Sequence, residues 1–448
     1  MTSLFTEWVT WWDGSHRNGV FYFFLWMWLG VWLPRVVLSW WYRPVQGSGR
    51  PTHAVIIPVL DEEPEAFYEV LDSITRQQPD AVYVAINGPA NPALERVCEK
   101  FQPVVRWGWS PVADKRQAQA RGLAATTGEI VIFVDSDTRW TAENDGTLTE
   151  LLKVFMNPQV GGVTPHQEIR NAEVNIYTRF FAWREAVQWM FLPPAQSVLG
   201  QVGVLPGRTM AVRREILAAN LEEFLAAPVK ISEDREQTMF AMQAGFRTVY
   251  QRTAVVETEA PTTFFKSWRQ QYRWAKGSHY NTVRWFPMML RKAPFTCYCF
   301  AADMVTPFLL VGVLGDSLWR GVRTFSEGST FEFAGLGQLA LLTLLTFAGW
   351  YLSAAARSLP HLLKDPRDWG RLPIYIVLAI VIVLPASILG LLTAGWVFGS
   401  GWGTRSNALP EQREITRLSL VFRFGPTLLA LFLLLASVAL AYLMGGRD

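Results

Sequence analysis

Apolar residues in this chain are gathered towards its two ends. Residues 19–41 read GVFYFFLWMWLGVWLPRVVLSWW, and residues 297–319, 333–356, 374–398 and 418–444 are similarly aliphatic and aromatic. Each stretch is long enough to cross a hydrocarbon core of roughly 30 Å. Between the first stretch and the rest, residues 51–292 alternate short apolar runs with polar helical patterns, as a soluble α/β domain does. The pattern predicts a water-exposed domain held between membrane helices. A composition of 50% hydrophobic and 18% charged residues excludes a disordered chain. A net charge of +3 without any Lys/Arg run excludes a nucleic-acid-binding stripe.

Orientation follows from charge. Arg35, Arg43 and Arg50 lie at the far end of the first apolar stretch, and Arg357, Lys364, Arg367 and Arg371 lie between two later ones. Positive-inside logic puts both groups in the cytoplasm and the N-terminus outside. Residues 4–12 are aromatic and short, which fits a segment lying flat in the interface. No basic start or small-residue cleavage site marks a signal peptide. The 21 tryptophans suit interfacial anchoring, and their faces also stack on sugar rings. Cys98, Cys297 and Cys299 form no CxxC, and the five histidines lack metal-ligand spacing.

In the middle of the chain, residues 53–60 (HAVIIPVL), 81–86 and 129–134 (EIVIFV) read as buried strands. Residues 65–77 and 114–127 read as helices between them. Strands alternating with helices predict a mostly parallel sheet that presents ligands at its carboxyl ends. Asp135-Ser136-Asp137 follows the third strand directly. Two carboxylates two apart at a strand end can share a divalent ion that also holds a diphosphate, as Mg²⁺ and Mn²⁺ do. In a solvated loop the same pattern is common and means nothing. Ser232-Glu233-Asp234-Arg235 offers a carboxylate able to take a proton from an attacking hydroxyl. Gln270-Gln271-Tyr272-Arg273-Trp274 lies in an amphipathic aromatic-basic stretch. It suits a membrane interface, or an arginine on phosphate beside a tryptophan under a sugar.

In order, the chain carries VIIPVLDEEP, DKRQAQARG, IVIFVDSDT, LPGRTMAVRR, ISEDREQT, QQYRW and GWGTR. With these motifs it resembles the processive membrane members of glycosyltransferase family 2, hyaluronan synthases most closely, with cellulose and chitin synthases as further relations. The resemblance covers residues 54–405. It implies an α/β GT-A-like cytoplasmic glycosyltransferase domain plus an α-helical transmembrane domain. Residues 1–50 would be an interface segment and first transmembrane helix, 51–261 the GT-A domain, 262–294 interface helices, and 295–448 transmembrane helices with a gating loop.

The resemblance also implies roles. Asp234 matches the catalytic base. Glu62, Asn87, Lys115, Asp135, Gln270, Arg273 and Arg405 match donor or nucleotide contacts, and Asp135 and Asp137 match the metal motif for Mg²⁺ or Mn²⁺. Trp274, Glu233 and Arg208 fall on the acceptor side. Trp402 and Arg405 match a cytoplasmic loop that closes over the site. For that loop to be cytoplasmic, residues 374–398 would form an interface or re-entrant helix broken near Pro385. That leaves about four full spans with both termini outside.

The expected partners are a UDP-linked sugar donor, a growing glycan acceptor and membrane lipid, with a second copy of the chain as a candidate. The expected place is the cell membrane, multi-pass, with the catalytic domain in the cytoplasm. The expected reaction is repeated inverting transfer with export of the polymer. The alternatives are a non-processive enzyme making a membrane glycolipid, or a pure transport protein with an inactive domain. Two departures from the pattern stand out. Many relatives carry Asp where this chain has Asn87, and Asn both donates and accepts hydrogen bonds. Hyaluronan synthases carry a Cys-x-Ser-Gly-Pro stretch where this chain has residues 204–208, VLPGR, so the acceptor pocket differs. Asp234, with an ordinary carboxylate pKa, would be ionised at neutral pH.

Overall fold

The computed structural model describes residues 19–227, 229–326, 333–395 and 420–444. Its centre is a sheet of β1 (His53–Val59), β2 (Val82–Asn87), β3 (Val105–Ser110), β4 (Ile130–Val134), β5 (Arg139–Trp140), β6 (Val160–Ile169), β7 (Thr209–Arg213) and β8 (Arg247–Thr258). The spatial order is β3-β2-β1-β4-β7-β6-β8-β5. β1 and β4 are buried along their whole length. That explains their unbroken apolar runs, since helices cover both faces of a parallel sheet.

Only part of the sheet is parallel. β3, β2, β1 and β4 run together, but β7 is antiparallel to both β4 and β6, and β5 is antiparallel to β8. The sheet is therefore mixed rather than mostly parallel. The later strands are interrupted by long helical insertions, so their short runs carry little directional signal. The reversal has a consequence for the site. Thr209 at the start of β7 pairs with Val134 at the end of β4. An antiparallel strand thus delivers the residues just before it, Gly207 and Arg208, to the carboxyl edge where Asp135 emerges.

The helices that matter here are α1 (Pro64–Thr75), α2 (Lys115–Ala125), α3 (Ile176–Leu199), α4 (Glu233–Gln243), α5 (Phe264–Lys292), α6 (Pro294–Ser326), α7 (Phe333–Lys364), α8 (Asp368–Leu378), α9 (Leu384–Leu392) and α10 (Leu420–Met444). Asp114 caps α2, accepting from the backbone N–H groups of Arg116 and Gln117 at 2.9 and 3.3 Å. Gly122 lets α2 sit on the sheet, because a Cβ there would lie 2.3 Å from Ile56. Asn175 and Thr178 form a capping box at the start of α3, and Gly200 ends it with φ +70°.

Among the described residues three helical stretches are long and apolar enough to cross a membrane: Tyr22–Ser39, Pro294–Val313 and Asp368–Leu392. A shorter apolar stretch covers Phe424–Ser437. Arg35 in the first stretch is not left alone in the apolar layer. Its Nη2 lies 2.7 Å from Asp303 Oδ1 on α6 and 3.3 Å from the Cys299 carbonyl. Between α8 and α9, residues Ala379–Val383 are π-helical, so Pro385 follows a local unwinding rather than a chain break.

Two buried ionic networks fasten the layers. Arg116 on α2 meets Glu236 on α4, both 1% exposed, and Arg284 on α5 reaches the same carboxylate. Arg179 on α3 meets the fully buried Asp368 at 3.0 Å, which also accepts from His361, Tyr375 and Arg371 at 2.8, 2.9 and 3.1 Å.

Candidate active site

The site is built at the carboxyl ends of β1, β4 and the approach to β7. Asp135 follows β4 with its backbone N–H on the Arg208 carbonyl at 3.2 Å. Lys115, the first residue of α2, places its ammonium 2.7 Å from Asp135 Oδ1 and 2.6 Å from Glu233 Oε1. It therefore joins the carboxylate after β4 to the acidic start of α4. Burial works against its charge, but the two carboxylates outweigh it and hold the Lys115 pKa above its usual range. Ser136 donates to Glu62 Oε1 at 2.8 Å, which ties the loop after β1 to the same edge.

Asp234 sits beside this group. Its Oδ2 accepts the Gly207 N–H at 2.9 Å and its Oδ1 the Arg235 N–H at 2.7 Å. Burial and the neighbouring Glu233 carboxylate push its pKa up to about 6, against the pull of Lys115 and the two N–H groups. That corrects the expectation of an ordinary carboxylate pKa. Burial works against the Glu233 carboxylate, but Lys115 outweighs it and holds the Glu233 pKa below its usual range.

Gly207 brings the backbone close to these groups. A Cβ would lie 3.1 Å from the Lys115 ammonium and 3.4 and 3.5 Å from the two Asp135 oxygens. The next residue, Arg208, turns its guanidinium to the ring of Trp274, 5.3 Å from the centroid, and donates to Gln167 Oε1 at 2.7 Å. Gln270, Arg273 and Trp274 are spaced i, i+3, i+4 on α5 and share one face of that helix. The Gln270 Oε1 atom is buried without a hydrogen-bond partner among the described residues.

Asn87 is fully buried at the end of β2, and its side chain is engaged by protein. Its amide donates to the carbonyls of Ala85 at 2.7 Å and Val59 at 3.3 Å, while its oxygen accepts from Arg121. Trp402 and Arg405 lie outside the described residues. The structure thus brings together Glu62, Lys115, Asp135, Glu233, Asp234, Arg208 and Trp274. Gly207, Gln167, Arg121 and Glu185 also belong to the site; Gly207 and Arg121 lie inside the motifs but carry no role in them. Outside the motifs only Glu185 left a signal, an acidic residue inside the aromatic run FFAWREAVQW.

The model of the family described as "Glycosyltransferase like family 2" matches residues 51–277, just over half the chain. The chain belongs to glycosyltransferase family 2. A hyaluronan synthase from Streptococcus pyogenes serotype M1 is 28% identical over 385 residues, covering 82% of this chain and 87% of that protein. An N-acetylglucosaminyltransferase from Rhizobium meliloti (strain 1021) is 28% identical over 280 residues, or 60% of this chain and 65% of its own. Another, from Azorhizobium caulinodans, is 30% identical over 248 residues, or 52% and 61%. Among solved structures, GalNAc-T7 with UDP, GalNAc and Mn²⁺ aligns at TM-score 0.37 and 12% identity, over 48% of this chain and 44% of that one. In this glycosyltransferase the α/β domain is GT-A-like, a mixed sheet with an Asp-x-Asp at the end of β4, and helices able to span a membrane pack against it.

Proposed function

We propose that the chain is a processive, inverting membrane glycosyltransferase. It takes sugar units from a UDP-linked donor, adds them to a growing polysaccharide and passes the product out between its own membrane helices. The reading draws on the hyaluronan synthase relative, which aligns over most of both chains. The observation that carries it is the dipeptide Gly207-Arg208. Its N–H holds Asp234, its carbonyl holds Asp135, and its guanidinium lies on Trp274. Donor-side and acceptor-side groups thereby share one rigid turn.

In this reading Asp234 accepts the proton of the acceptor hydroxyl as its oxygen forms a bond to the anomeric carbon. The bond from that carbon to the diphosphate breaks, and its electron pair leaves with the diphosphate. Attack opposite the leaving group inverts the anomeric centre. Lys115 and Arg273 offset the negative charge that develops on the diphosphate. Trp274 holds the acceptor ring so that its hydroxyl meets Asp234.

The donor set of Asp135 and Asp137 would consist of carboxylate oxygens only, with the Asp135 oxygens facing the Cβ-free backbone of Gly207 and one of them on Lys115. It fits a hard divalent cation that keeps substrate phosphates in its shell. Mg²⁺ or Mn²⁺ held there would neutralise charge on the donor diphosphate. Purified protein given UDP-sugars with Mg²⁺ or Mn²⁺ should release UDP and form long product. Product of one added sugar on lipid would replace the processive reading with a glycolipid transferase, and no UDP release would reject transfer altogether.

A further inference from the structure

A carboxylate buried in an aromatic helix needs a partner, because an unpaired ion out of water is strongly disfavoured. Glu185 lies midway along α3 and is 5% exposed. One of its oxygens accepts the Trp189 indole N–H at 2.9 Å. The Arg208 guanidinium lies 3.4 Å from the carboxylate. Burial alone would keep Glu185 neutral, but Arg208 and the adjacent Arg184 hold its pKa below the usual range. Arg208 is thus gripped from two sides, by Gln167 at 2.7 Å and by Glu185, with its third contact on the Trp274 ring at 5.3 Å.

An arginine side chain has rotamer entropy to lose, and its planar fork is fixed only when held at more than one point. Gln167 alone would leave the guanidinium free to turn about one bond. Glu185 supplies the second point. Arg208 then covers one face of the Trp274 indole, so a sugar must stack on the other. We propose that Glu185 is a positioning residue of the acceptor site, fixing Arg208 against Trp274 and so setting the plane on which the terminal acceptor sugar rests. This rests on the reading of Trp274 as the acceptor platform. Glu185 itself touches no substrate.

The test uses full-length protein in lipid nanodiscs, labelled with 5-fluorotryptophan. The Trp274 fluorine resonance is identified by its loss in Trp274→Phe. Glu185→Gln keeps the shape and the bond from Trp189 but removes the charge on which Arg208 rests. It should move the Trp274 resonance, as should Arg208→Lys, and the double variant should move it no further than Arg208→Lys alone. A Trp274 resonance unchanged in Glu185→Gln overturns the proposal. With UDP-N-acetylglucosamine as donor and an N-acetylglucosamine tetramer as acceptor, Glu185→Gln should raise the tetramer KM about tenfold, the size of one lost charge-assisted bond, while the donor KM holds. A fall in kcat with the tetramer KM unchanged would make Glu185 a structural residue only and sink the idea. Should native protein release no UDP, the transferase reading fails, yet the fluorine signal still decides whether Glu185 positions Trp274.

Discussion

The Gly207 N–H donates to Asp234 Oδ2 at 2.9 Å. With the Arg235 N–H at 2.7 Å on the other oxygen, both oxygens of the Asp234 carboxylate are held by backbone. Those bonds favour the ionised form, while burial and Glu233 oppose it and leave the pKa at about 6. At pH 7 such a base is ionised about ten to one, and it is more basic than an exposed aspartate.

Asp234→Asn keeps the shape and removes the proton acceptor. Turnover should fall about a hundredfold or more, the usual loss for a general base, with donor binding retained. UDP release under saturating donor measures the first and titration with UDP the second. Turnover like that of native protein would remove Asp234 from the mechanism.

The raised pKa sets a pH dependence. With Asp234 as the proposed base the ionised form is the competent one, so kcat/KM should be full above the pKa and decline as pH falls through about 6. Glu233 is one cause of the elevation. Glu233→Gln removes that negative neighbour and should move the acid limb to lower pH. An acid limb that stays in place, or rises, would show that Glu233 does not act on the base.

Much of this site was legible in the sequence, and the reason is local. Asp135 and Asp137 follow a run of five buried residues, so a strand end and its carboxylates could be placed without any tertiary information. Gln270, Arg273 and Trp274 fall on one helix face by spacing alone. Gly207 has no such local mark, and for Glu185 the sequence offers only an acidic residue in an aromatic run. Their roles come from β7 running antiparallel beside β4 and from α3 passing beneath Arg208, and neither pairing has a one-dimensional signature. The raised pKa of Asp234 is hidden for the same reason, since burial is a tertiary property. The mixed sheet is not legible in the sequence because strand direction is visible only where connections are short.

Asp135 and Asp137 lead to a test by metal removal. Excess EDTA should abolish UDP release, and Mn²⁺ or Mg²⁺ should restore it, because an oxygen-only donor set suits both. Asp137→Ala should raise the metal concentration needed for half-maximal rate. Full activity in EDTA would reject a metal at this edge.

Glu236 carries a stability prediction. It is 1% exposed and receives Arg116, itself 1% exposed, as well as Arg284. Glu236→Ala would strand a buried guanidinium, and losing one partner of such a pair costs about 3–5 kcal/mol. Thermal unfolding of the detergent-solubilised protein should occur at clearly lower temperature. An unchanged transition would mean that the backbone carbonyls of Phe224 and Val229, 2.9 and 3.1 Å from Arg116, suffice.

The last prediction concerns the stretch Asp368–Leu392, which is apolar and long enough to cross a membrane. Both of its ends touch the catalytic half of the chain. At one end Asp368 meets Arg179 at 3.0 Å, and Tyr375 stacks on Trp183 at 5.4 Å. At the other, Thr393 bonds the Tyr272 hydroxyl at 2.8 Å, and Ala394 packs with Val229 and Tyr280. Between these ends it runs antiparallel to α5. Ser387 lies by His279, and a Cβ on Gly390 would be 2.7 Å from Ala275. A helix of this length reaches about 37 Å, so a crossing would carry one end to the far side of the bilayer. We therefore expect it to lie along the membrane face of the catalytic domain. Single cysteines replacing Arg367 and Ser406 should then react with an impermeant thiol reagent from the same side. Cys98, Cys297 and Cys299 are replaced first, although all three are buried. Ser406 lies beyond the described residues, in the segment that follows α9 and carries Arg405. Labelling of the two positions from opposite faces would mean that the stretch crosses, and the loop bearing Arg405 could not close over a cytoplasmic donor site.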